Sequence, residues 1–433
     1  MPKQKLKEIQ SVRGMHDILP VDQHYWQFIL KKAGILLDDY SFEKIDTPIV
    51  EDTTLFVRTV GEATDIVEKE MYSFETKGGE EISLRPELTA PVVRSYIEHG
   101  MSVMPHPVKL WYLGPVFRHD NPQAGRLRQF YQLGIETFGD DHAAADVEVI
   151  LAAYNVISAL GLKNLIIQIN SIGDQNCRPQ YIKALKNYYS NKSKKICPKC
   201  ASRLKKNILR LLDCNEAMCK ETLKDAPQIL DYLDDDCKKH FKTVLEFLDE
   251  LKLPYILNPY LVRGLDYYTR TVFEIWPEEK PEGDSGYFGQ ILSGGRYDKL
   301  VEVLGGPATP AVGWAMGMER AILLLKENNI NVPESKAKPK VFMIQLGDTA
   351  KKKSFILFEE VRKSGIPIKA TFGRDSIKSQ LRIANRLGVK YALIIGQKEA
   401  LEDAVIAREM NTGAQETVPI SKIVDFLKPR LKS

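Results

Sequence analysis

The stretch RLRQFYQLGIETFG, which runs from Arg126 to Gly139, alternates apolar and polar residues as a strand with two unlike faces does. One face holds Tyr131, Leu133 and Ile135. The other face holds Arg128, Phe130, Gln132, Gly134 and Glu136. Because a glycine between polar side chains lets a ligand approach the backbone closely, this second face predicts the floor of a polar pocket. The solvated face of a half-exposed sheet explains the stretch, taken alone, equally well.

The segments around this stretch predict the elements that surround it. Leu110 to Arg118 and Leu127 to Phe138 predict an antiparallel hairpin, whose strands are joined by the eight-residue polar loop HDNPQAGR. Apolar residues at helical spacing predict a helix from Val21 to Tyr40 with Asp22 as its cap. A strand that ends at Thr47-Pro48-Ile49 should follow this helix.

The pattern of elements continues beyond the hairpin. Asp140 or Asp141 is predicted to cap a helix that runs to Leu160 and stops at Gly161. Further elements are predicted as strands at Leu265 to Trp276 and Tyr287 to Ser293, and a helix at Met316 to Lys326.

The length of 433 residues is too great for one hydrophobic core, so several domains are expected. Residues 177–254, with runs of Lys and Asp and few long apolar strands, predict a helical insertion between the two parts of a core, residues 1–176 and 255–328. A linker rich in lysine and proline is expected at residues 329–338. Alternating strand and helix patterns then predict a C-terminal α/β domain at residues 339–433.

The composition excludes several classes of protein. With 44% apolar and 27% charged residues, and no apolar run of about 18 residues, the chain predicts a soluble protein that does not interact with membranes. The start MPKQKLKEIQ has no apolar signal segment, so a cytoplasmic location is expected. A net charge of +4 is compatible with a polyanionic partner but does not establish one.

Three arginines outside the polar face are candidates for phosphate binding. Arg118 ends the first strand of the hairpin, and Arg263 and Arg320 lie in VRGLDYYTRTVFE and AVGWAMGMER. Planar guanidinium groups suit phosphate oxygens and the charge that develops on them during nucleotidyl transfer, although a single arginine is more often a surface residue. Walker A, GxGxxG, HExxH and GxSxG motifs are absent from the sequence, and SGGRYDKL with Gly294 and Gly295 is only a weak phosphate-loop candidate.

Four cysteines form two close pairs. Six cysteines in a chain of this length do not make a disulfide scaffold. Cys197 and Cys200 are separated from Cys214 and Cys219 by thirteen residues, a spacing typical of a structural tetrahedral zinc site. The alternative is four reduced thiols in a small helical domain.

Five segments in this order resemble a bacterial-type histidyl-tRNA synthetase of class II, over nearly the whole chain. The segments are LRPELTAP, FRHDNPQAGRLRQFYQLGIE, VRGLDYYTRTVFE, SGGRYDKL and AVGWAMGMER. The resemblance implies an α+β fold: an antiparallel-sheet catalytic core with a helical insertion, and a C-terminal α/β domain that binds the anticodon. It also implies a homodimer that activates histidine with ATP and Mg²⁺ to histidyl-adenylate, and then transfers histidine to the 3′ end of tRNA(His).

The resemblance also assigns roles to individual residues. Arg118 and Arg263 are implied as catalytic residues, with Arg118 on the α-phosphate and substrate carboxylate, and Arg320 on the γ-phosphate. The histidine site is implied to comprise Glu87, Thr89, Arg118, Gln132, Glu136, Arg263, Tyr267 and Tyr268. Candidates for contact with the tRNA acceptor end are Gln123, Arg126 and Arg128.

Departures from the family pattern lie close to these residues. Asp120 and Asn121 stand where the family usually has Glu and Arg, which affects the expected contacts with adenine and with the discriminator base. Leu88 replaces a commoner glycine.

In the C-terminal domain, GRDSIKSQLRIANRLGVK predicts a basic helix face, which is an RNA contact or an ordinary solvated face. Its basic residues are Arg374, Lys378, Arg382, Arg386 and Lys390.

Two other functions remain to be weighed. A regulatory subunit of histidine biosynthesis shares the class II core but lacks the motif arginines and the C-terminal domain, whereas this chain has both. A synthetase for another amino acid of the same subclass would need a different pocket, and RGLDYYTRT disfavours it.

Overall fold

The chain divides into two units, Met1–Pro333 and Glu334–Ser433. The computed structural model describes residues 8–61, 64–122, 125–278, 289–333, 338–373 and 376–431. Among these residues, none of the helices is both long enough and apolar enough to cross a membrane.

The first unit contains both helices and strands. Its strands are β1 (Glu43–Lys44), β2 (Val50–Asp52), β3 (Tyr72–Glu75), β4 (Glu81–Leu84), β5 (Val108–Phe117), β6 (Gln129–Phe138), β7 (Leu165–Ser171), β8 (Tyr255–Leu257), β9 (Thr269–Pro277), β10 (Leu292–Arg296) and β11 (Ala311–Gly317). Its α-helices are α1 (Gln23–Asp39), α2 (Thr53–Val60), α3 (Thr89–Glu98), α4 (Ala143–Ala159), α5 (Arg178–Ser190), α6 (Pro198–Lys206), α7 (Ala217–Leu223), α8 (Asp235–Glu250), α9 (Leu300–Val303) and α10 (Met318–Glu327).

Eight of the strands in the described residues form one sheet, in the order β1-β5-β6-β11-β10-β9-β7-β8. The pairs β1–β5 and β7–β8 are parallel, and the other pairs are antiparallel. Strands β2, β4 and β3 form a separate antiparallel sheet. This architecture confirms the predicted α+β class with an antiparallel core.

The predicted hairpin is confirmed as β5 and β6, in which Tyr112 pairs with Gly134 and Leu110 with Glu136. The apolar face of β6 packs against helices, because Leu133 and Ile135 are fully buried in a core that includes residues of α1, α4 and α10. Burial of each such side chain stabilises the fold by about 1.5–3 kcal/mol.

The opposite face of the sheet is also covered. Residues of α3, α9 and the segment 261–268 pack there against β5 and β6 in a second core, which includes Leu88, Tyr112, Tyr267 and Tyr297. The polar face of β6 is therefore enclosed at Gly134 and Glu136, which disfavours the alternative of a solvated half-exposed sheet.

Some predicted boundaries differ from the structure because side chains take the place of strand partners. The strand predicted to end at Thr47-Pro48-Ile49 is β1, which ends earlier, at Lys44. Beyond it, the Arg85 guanidinium takes the carbonyls of Thr47 at 2.6 Å and Pro48 at 3.0 Å. Helix α1 has Asp22 at its N-cap position but without a side-chain cap hydrogen bond.

Other corrections concern the ends of elements. His142, rather than Asp140 or Asp141, is the N-cap of α4, while Asp140 accepts a hydrogen bond from the backbone N–H of His142 at 2.9 Å. Gly161, with φ of 92°, ends this helix as predicted.

The predicted strand at Leu265 to Trp276 begins only at Thr269, because the residues before it form an irregular segment. The strand predicted at Tyr287 to Ser293 is instead β10, from Leu292 to Arg296; positions 279–288 lie outside the described residues. Gly294 is a strand residue, where an added Cβ would lie 2.4 Å from the carbonyl oxygen of Gly313, so it allows close strand packing and forms no phosphate loop.

Residues 177–254, all of which the structure describes, hold α5 to α8 and short 3-10 turns but no strand. Their buried cluster includes Tyr181, Leu185, Tyr189 and the cysteines. The boundaries of the insertion, the linker and the core stay predictions.

The second unit is an α/β structure. Its elements are β12 (Val341–Gln345), α11 (Asp348–Lys363), β13 (Ile368–Ala370), α12 (Ile377–Arg386), β14 (Tyr391–Ile395), α13 (Gln397–Leu401), β15 (Ala404–Glu409), β16 (Gln415–Pro419) and α14 (Ile423–Arg430). Its sheet has the order β13-β12-β14-β15-β16, with β12 parallel to both neighbours. The sequence did not predict β15 and β16, which pair antiparallel at one edge.

Candidate active site

Glu136 lies at the centre of the polar face and is 1% exposed. The hydroxyl of Thr89 donates to its Oε1 at 2.8 Å, and the hydroxyl of Tyr112 donates to the same oxygen at 2.9 Å. The hydroxyl of Tyr297 donates to Oε2. Burial raises the pKa of Glu136 to about 8, although these hydrogen bonds oppose the shift. This shift favours the protonated form of the carboxyl group at neutral pH.

Glu87 lies at the start of α3, next to this carboxyl group. Its two oxygens accept the backbone N–H groups of Thr89 at 2.6 Å and Ala90 at 2.8 Å, which helices leave without partners in their first turn. Burial raises the pKa of Glu87. Leu88, the departure from the family pattern, is 2% exposed and packs in the second core, which explains an apolar residue at this position.

Gly134 does not have the role that the sequence predicted. A Cβ at this position would lie 2.4 Å from the hydroxyl oxygen of Tyr112 and 2.5 Å from the carbonyl oxygen of Trp314. The space above Gly134 is therefore filled by the phenol of Tyr112, which crosses it to reach Glu136. Glycine is needed here to admit a side chain of the protein and not to admit a ligand.

Gln132 lies four residues before Glu136 on the same face, about 13 Å away along the strand. It pairs with Gly114 and Gly317 on the neighbouring strands, and neither of these glycines covers it with a side chain. Its Oε1 is buried and has no hydrogen-bond partner in the described part of the chain. An unsatisfied buried acceptor at this position is available to a donor on a ligand.

Tyr267 and Tyr268 cover the pocket from the irregular segment before β9. Their ring centroids lie 4.7 Å apart, and the ring of Tyr267 lies 5.6 Å from that of Tyr297. The guanidinium of Arg263 lies 5.6 Å from the ring centroid of Tyr268. These aromatic groups exclude water from the space next to Glu136.

Arg263 is held by the floor of the sheet. Its Nη1 donates to Glu274 at 2.5 Å, and its Nη2 donates to the hydroxyl of Ser293 at 2.5 Å. Nε of Arg263 is buried and lacks a hydrogen-bond partner among the residues that the structure describes. The group is fixed in position, and its Nε–H is available to an anion.

Arg118 and Arg320 are positioned by backbone carbonyls. Nε of Arg118 donates to Pro86 at 2.8 Å, and Nε and Nη1 of Arg320 donate to Gly125 at 3.2 Å and Gln290 at 3.3 Å. In the described ranges, no carboxylate oxygen lies within 4.0 Å of the nitrogens of either guanidinium. Burial lowers the pKa of Arg320, and the positive charges of Arg126 and Arg118 lower it further. This excess of positive charge suits a polyphosphate.

The candidates for the tRNA acceptor end are not equally available. Gln123 lies outside the described residues. Arg126 is exposed and pairs with Asp120 at 3.4 Å, whereas Nε of Arg128 donates to the Asp120 carbonyl at 3.2 Å. The backbone N–H of Arg128 also donates to the carbonyl of Gly14 at 2.7 Å, so Arg128 is partly engaged within the fold.

A cavity of about 460 Å³ opens beside Tyr267 and Tyr268, and Asp174, Arg178 and Arg270 also line it. The carboxyl of Glu136 and the arginines of the pocket do not line this cavity.

The sequence did not identify Tyr112, Tyr297, Glu274 or Ser293 as parts of the site. Tyr297 and Ser293 lie within SGGRYDKL, and Glu274 ends VRGLDYYTRTVFE, so these motifs contained the signal. The position of Tyr112 depends on strand register, since it pairs with Gly134.

The four predicted cysteines come together in residues 196–223, which we call the cysteine module. Their sulfur atoms all lie within 4.8 Å of one another, and Sγ of Cys197 lies 3.9 Å from Sγ of Cys214. Backbone N–H groups point at two of the sulfurs, from Cys200 to Cys197 at 3.4 Å and from Cys197 to Cys219 at 3.2 Å. The hydrogen bond from Cys200 lowers the pKa of the Cys197 thiol to about 7. Tetrahedral zinc bound to four thiolates at about 2.3 Å places its sulfurs about 3.8 Å apart, so the donor set fits this metal.

In the second unit, α12 presents a basic face. Lys378, Arg382 and Arg386 are exposed on this helix, whereas Lys390 lies beyond its end and donates to the carbonyl of Arg430 at 2.7 Å. Position 374 lies outside the described residues.

Comparison with known proteins gives matches over nearly the whole chain. Residues 14–321 match the family described as histidyl-tRNA synthetase, and residues 340–430 match the anticodon binding domain. A histidine–tRNA ligase of Dehalococcoides mccartyi is 48% identical over 422 residues, which cover 98% of this chain and 100% of the relative. One from Pelotomaculum thermopropionicum is 44% identical and covers 97% of both chains. The crystal structure of apo S. aureus histidyl-tRNA synthetase has 35% identity and a TM-score of 0.78, with 97% of this chain and 99% of that chain covered.

Proposed function

The chain belongs to the histidyl-tRNA synthetase family, and we infer that it is a histidine–tRNA ligase that forms histidyl-adenylate in the pocket around Glu136. The reaction uses histidine and ATP and charges tRNA(His). The observation that carries this assignment to the pocket is the buried carboxyl network of Glu136 and Glu87, together with Arg118, whose charge lowers the pKa of Glu87 against the effect of burial. The Arg118 guanidinium has no carboxylate partner in the described chain.

The histidine site comprises the predicted residues together with Tyr112 and Tyr297. In our proposal Glu136, Glu87 and Thr89 accept the ammonium and imidazole N–H groups, while Tyr267 and Tyr268 enclose the ring. A cationic substrate favours the ionised form of Glu136, so histidine binding draws a proton off this carboxyl group. Gln132 offers its unpaired Oε1 to a donor nearer the phosphates.

ATP is proposed to lie along the arginines. Arg118 binds the α-phosphate and the substrate carboxylate, Arg320 binds the γ-phosphate, and Arg263 directs its free Nε toward the reacting carboxylate and α-phosphate. Mg²⁺ that enters with ATP neutralises part of the phosphate charge.

Adenylation needs positioning rather than a protein base. The histidine carboxylate is already ionised at neutral pH; one of its oxygens attacks the α-phosphorus, and the bond to the β-phosphate oxygen breaks to release pyrophosphate. Arg118 and Arg263 stabilise the charge that develops at the α-phosphate. A terminal ribose hydroxyl of the tRNA then attacks the carbonyl carbon of the adenylate, and AMP leaves.

We propose that the acceptor end of tRNA meets the loop of the hairpin, where Arg126 is the best placed of the three candidates because its side chain is exposed. Gln123 and Arg128 remain candidates. The exposed basic face of α12 is the proposed contact in the anticodon-binding unit.

A structural zinc ion is proposed at Cys197, Cys200, Cys214 and Cys219. The support is the sulfur cluster and the backbone N–H groups directed at it. Four thiolates leave no open position for a substrate, so the metal would stabilise the fold of the module and take no part in catalysis. Metal analysis of protein purified without chelator should give about one zinc per chain, and less than about a tenth would contradict the site.

A homodimer in the cytoplasm is the proposed working form, as the family resemblance implies. Sedimentation analysis should give a particle of about twice the 49.1 kDa mass of one chain.

Two rival functions are disfavoured by particular features. A regulatory subunit would lack the arginines and the C-terminal unit, and this chain has Arg118, Arg263 and Arg320 and matches the anticodon binding domain. The two relatives named above are histidine–tRNA ligases, which disfavours a synthetase for another amino acid.

The full reaction is tested by charging. Purified protein with ATP, Mg²⁺ and labelled histidine should esterify tRNA(His) and leave a tRNA for another amino acid uncharged. Absence of acid-precipitable histidine on tRNA(His) would reject the ligase assignment.

A further inference from the structure

The cysteine module contacts the catalytic core through positive side chains that converge on Asp65. Nη2 of Arg203 donates to Oδ2 of Asp65 at 2.7 Å. Lys199 and Arg210 place their nitrogens 3.5 Å and 3.8 Å from the same oxygen. Lys206 pairs with Glu68 at 2.6 Å, three residues further along the core segment.

This contact differs from an isolated surface ion pair. The side chains of Asp65, Arg203 and Arg210 are 24%, 16% and 14% exposed, so water screens them only in part. Nη1 of Arg203 also donates to the carbonyl of Arg210 at 3.1 Å, which fixes the guanidinium on the backbone of the module. A network of pre-positioned charges holds its partner better than one flexible pair does.

Asp65 leads directly into a turn that reaches the catalytic arginine. Residues Ile66–Glu70 form a π-helix, a rare element that occurs often at functional sites. The carbonyl of Glu70 accepts the backbone N–H of His119 at 2.7 Å, and His119 follows Arg118 in the chain. Burial lowers the pKa of the Arg118 guanidinium, and the negative charge of Glu70 opposes this shift.

A second contact joins the module to the segment that covers histidine. Nδ2 of Asn207 donates to Oδ1 of Asp266 at 2.8 Å. Asp266 directly precedes Tyr267, whose ring covers the pocket. The module therefore holds two segments of the active site, one beside Arg118 and one beside Tyr267.

We propose that the cysteine module, organised by its metal, is a clamp that positions residues 64–70 against Arg118, with Arg203 and Asp65 as its positioning residues. The zinc-loaded clamp supports the binding of ATP and histidine, and loss of either the metal or the ion pair weakens that binding. This inference rests on the proposed ligase function.

The clamp is tested in the full chain by Arg203→Gln and Asp65→Asn, which leave all four cysteines in place. Each variant should keep its zinc and raise KM for ATP in pyrophosphate exchange by about fivefold or more, with kcat changed less than about twofold. Arg203→Lys, which retains the charge, should recover most of the loss. Lys205→Gln is the matched control on the same helix, because its exposed side chain makes no ion pair in the described residues, and its KM should equal that of the wild type.

A second readout does not depend on activity. Hydrogen–deuterium exchange in the peptides that contain residues 64–70 and His119 should be faster, by about tenfold, both in Arg203→Gln and in wild-type protein stripped of metal by a thiol-reactive mercurial and chelator. Adding Zn²⁺ to the stripped protein should restore slow exchange, and Cys200→Ser should respond neither to removal nor to addition.

The outcomes separate the clamp from the function on which it rests. If the wild type shows no histidine-dependent pyrophosphate exchange, the proposed function fails. If wild-type exchange is normal but Arg203→Gln and Asp65→Asn match Lys205→Gln in KM and in amide exchange, the clamp alone is rejected. If the ion-pair variants raise KM while metal removal changes neither amide exchange nor KM, the part assigned to zinc is rejected.

Discussion

Glu136 accepts hydrogen bonds from three hydroxyl groups, and its pKa is raised to about 8, so its charge changes just above neutral pH. Because a cationic ligand needs the ionised form, kcat/KM for histidine should rise as pH increases toward about 8 and level off above it, with a slope of at most about tenfold per unit. Glu136→Gln should lower kcat/KM and remove this rise. An unchanged pH profile in the variant would show that another group sets the dependence.

The same carboxyl group should influence stability in a defined direction. Its pKa is raised from 4.5 to about 8 in the folded state, so the folded protein binds the proton more tightly than the unfolded chain does, and stability falls as pH rises between these values. Glu136→Gln should therefore raise Tm relative to wild type more at about pH 8 than at about pH 5. An equal difference at both pH values would contradict the shifted pKa.

Arg263 provides a test of transition-state stabilisation. Arg263→His should reduce pyrophosphate exchange by at least about 100-fold, since it removes a fixed cation from the α-phosphate. The introduced side chain can still fill the space beside Glu274. Arg270→His, in the same motif but lining the cavity that Glu136, Arg118 and Arg320 do not line, is the matched control and should retain most activity. Near-normal exchange in Arg263→His would remove Arg263 from the catalytic residues.

At the scale of residues, strand alternation alone predicted that Gln132 and Glu136 share the polar face. It could not predict Tyr112 or Tyr297, because their contacts with Glu136 depend on strand register and on a segment distant in the chain. The role predicted for Gly134 was wrong for the same reason, since the Tyr112 phenol that occupies the space above this glycine comes from the neighbouring strand.

At the scale of elements, the ion pair between Asp146 and Arg296 joins α4 to β10. Both side chains are fully buried, and Arg296 also donates to the carbonyl of Asp140 at 2.9 Å and of His142 at 3.2 Å. Asp146→Asn should lower the free energy of unfolding by up to about 3–5 kcal/mol in urea, because it removes the fully buried carboxylate of the pair and leaves Arg296 with Asp298, at 3.1 Å and partly exposed, as its counter-charge. Glu148 lies on the same helix as Asp146 and forms a partly exposed pair with Lys109 of β5, so Glu148→Gln should cost less than about 1 kcal/mol.

Arg296 also shows why the elements were only partly predictable from the sequence. SGGRYDKL contains glycines and an arginine, which from the sequence alone are weak indicators of a phosphate loop. In the structure the glycines pack against neighbouring strands, and Arg296 holds a helix through Asp146, which is 150 residues away in the chain. Helices α1 and α4 and the hairpin were predicted well because their periodicity is local. The strand expected to end at Thr47-Pro48-Ile49 ends at Lys44, and beyond it the distant Arg85 takes the carbonyl of Thr47.

At the scale of the whole molecule, two units with separate cores should divide adenylation from anticodon recognition. Charge reversal by Arg382→Glu with Arg386→Glu on the exposed face of α12 should weaken tRNA(His) binding by about tenfold or more and leave pyrophosphate exchange unchanged. The matched pair Lys352→Glu with Lys363→Glu, exposed on α11, should have a smaller effect. Equal tRNA affinity for the two double variants would remove α12 from the interface.

Formation of histidyl-adenylate in the pocket around Glu136 is the central claim, and it is tested most directly by ATP–pyrophosphate exchange with purified protein, compared across the standard amino acids. Exchange should depend on histidine and exceed that with any other amino acid by at least about 1000-fold, because the buried hydroxyl and carboxyl groups would be left without partners by other side chains. Exchange that is equal with another amino acid, or absent with histidine, would contradict the account.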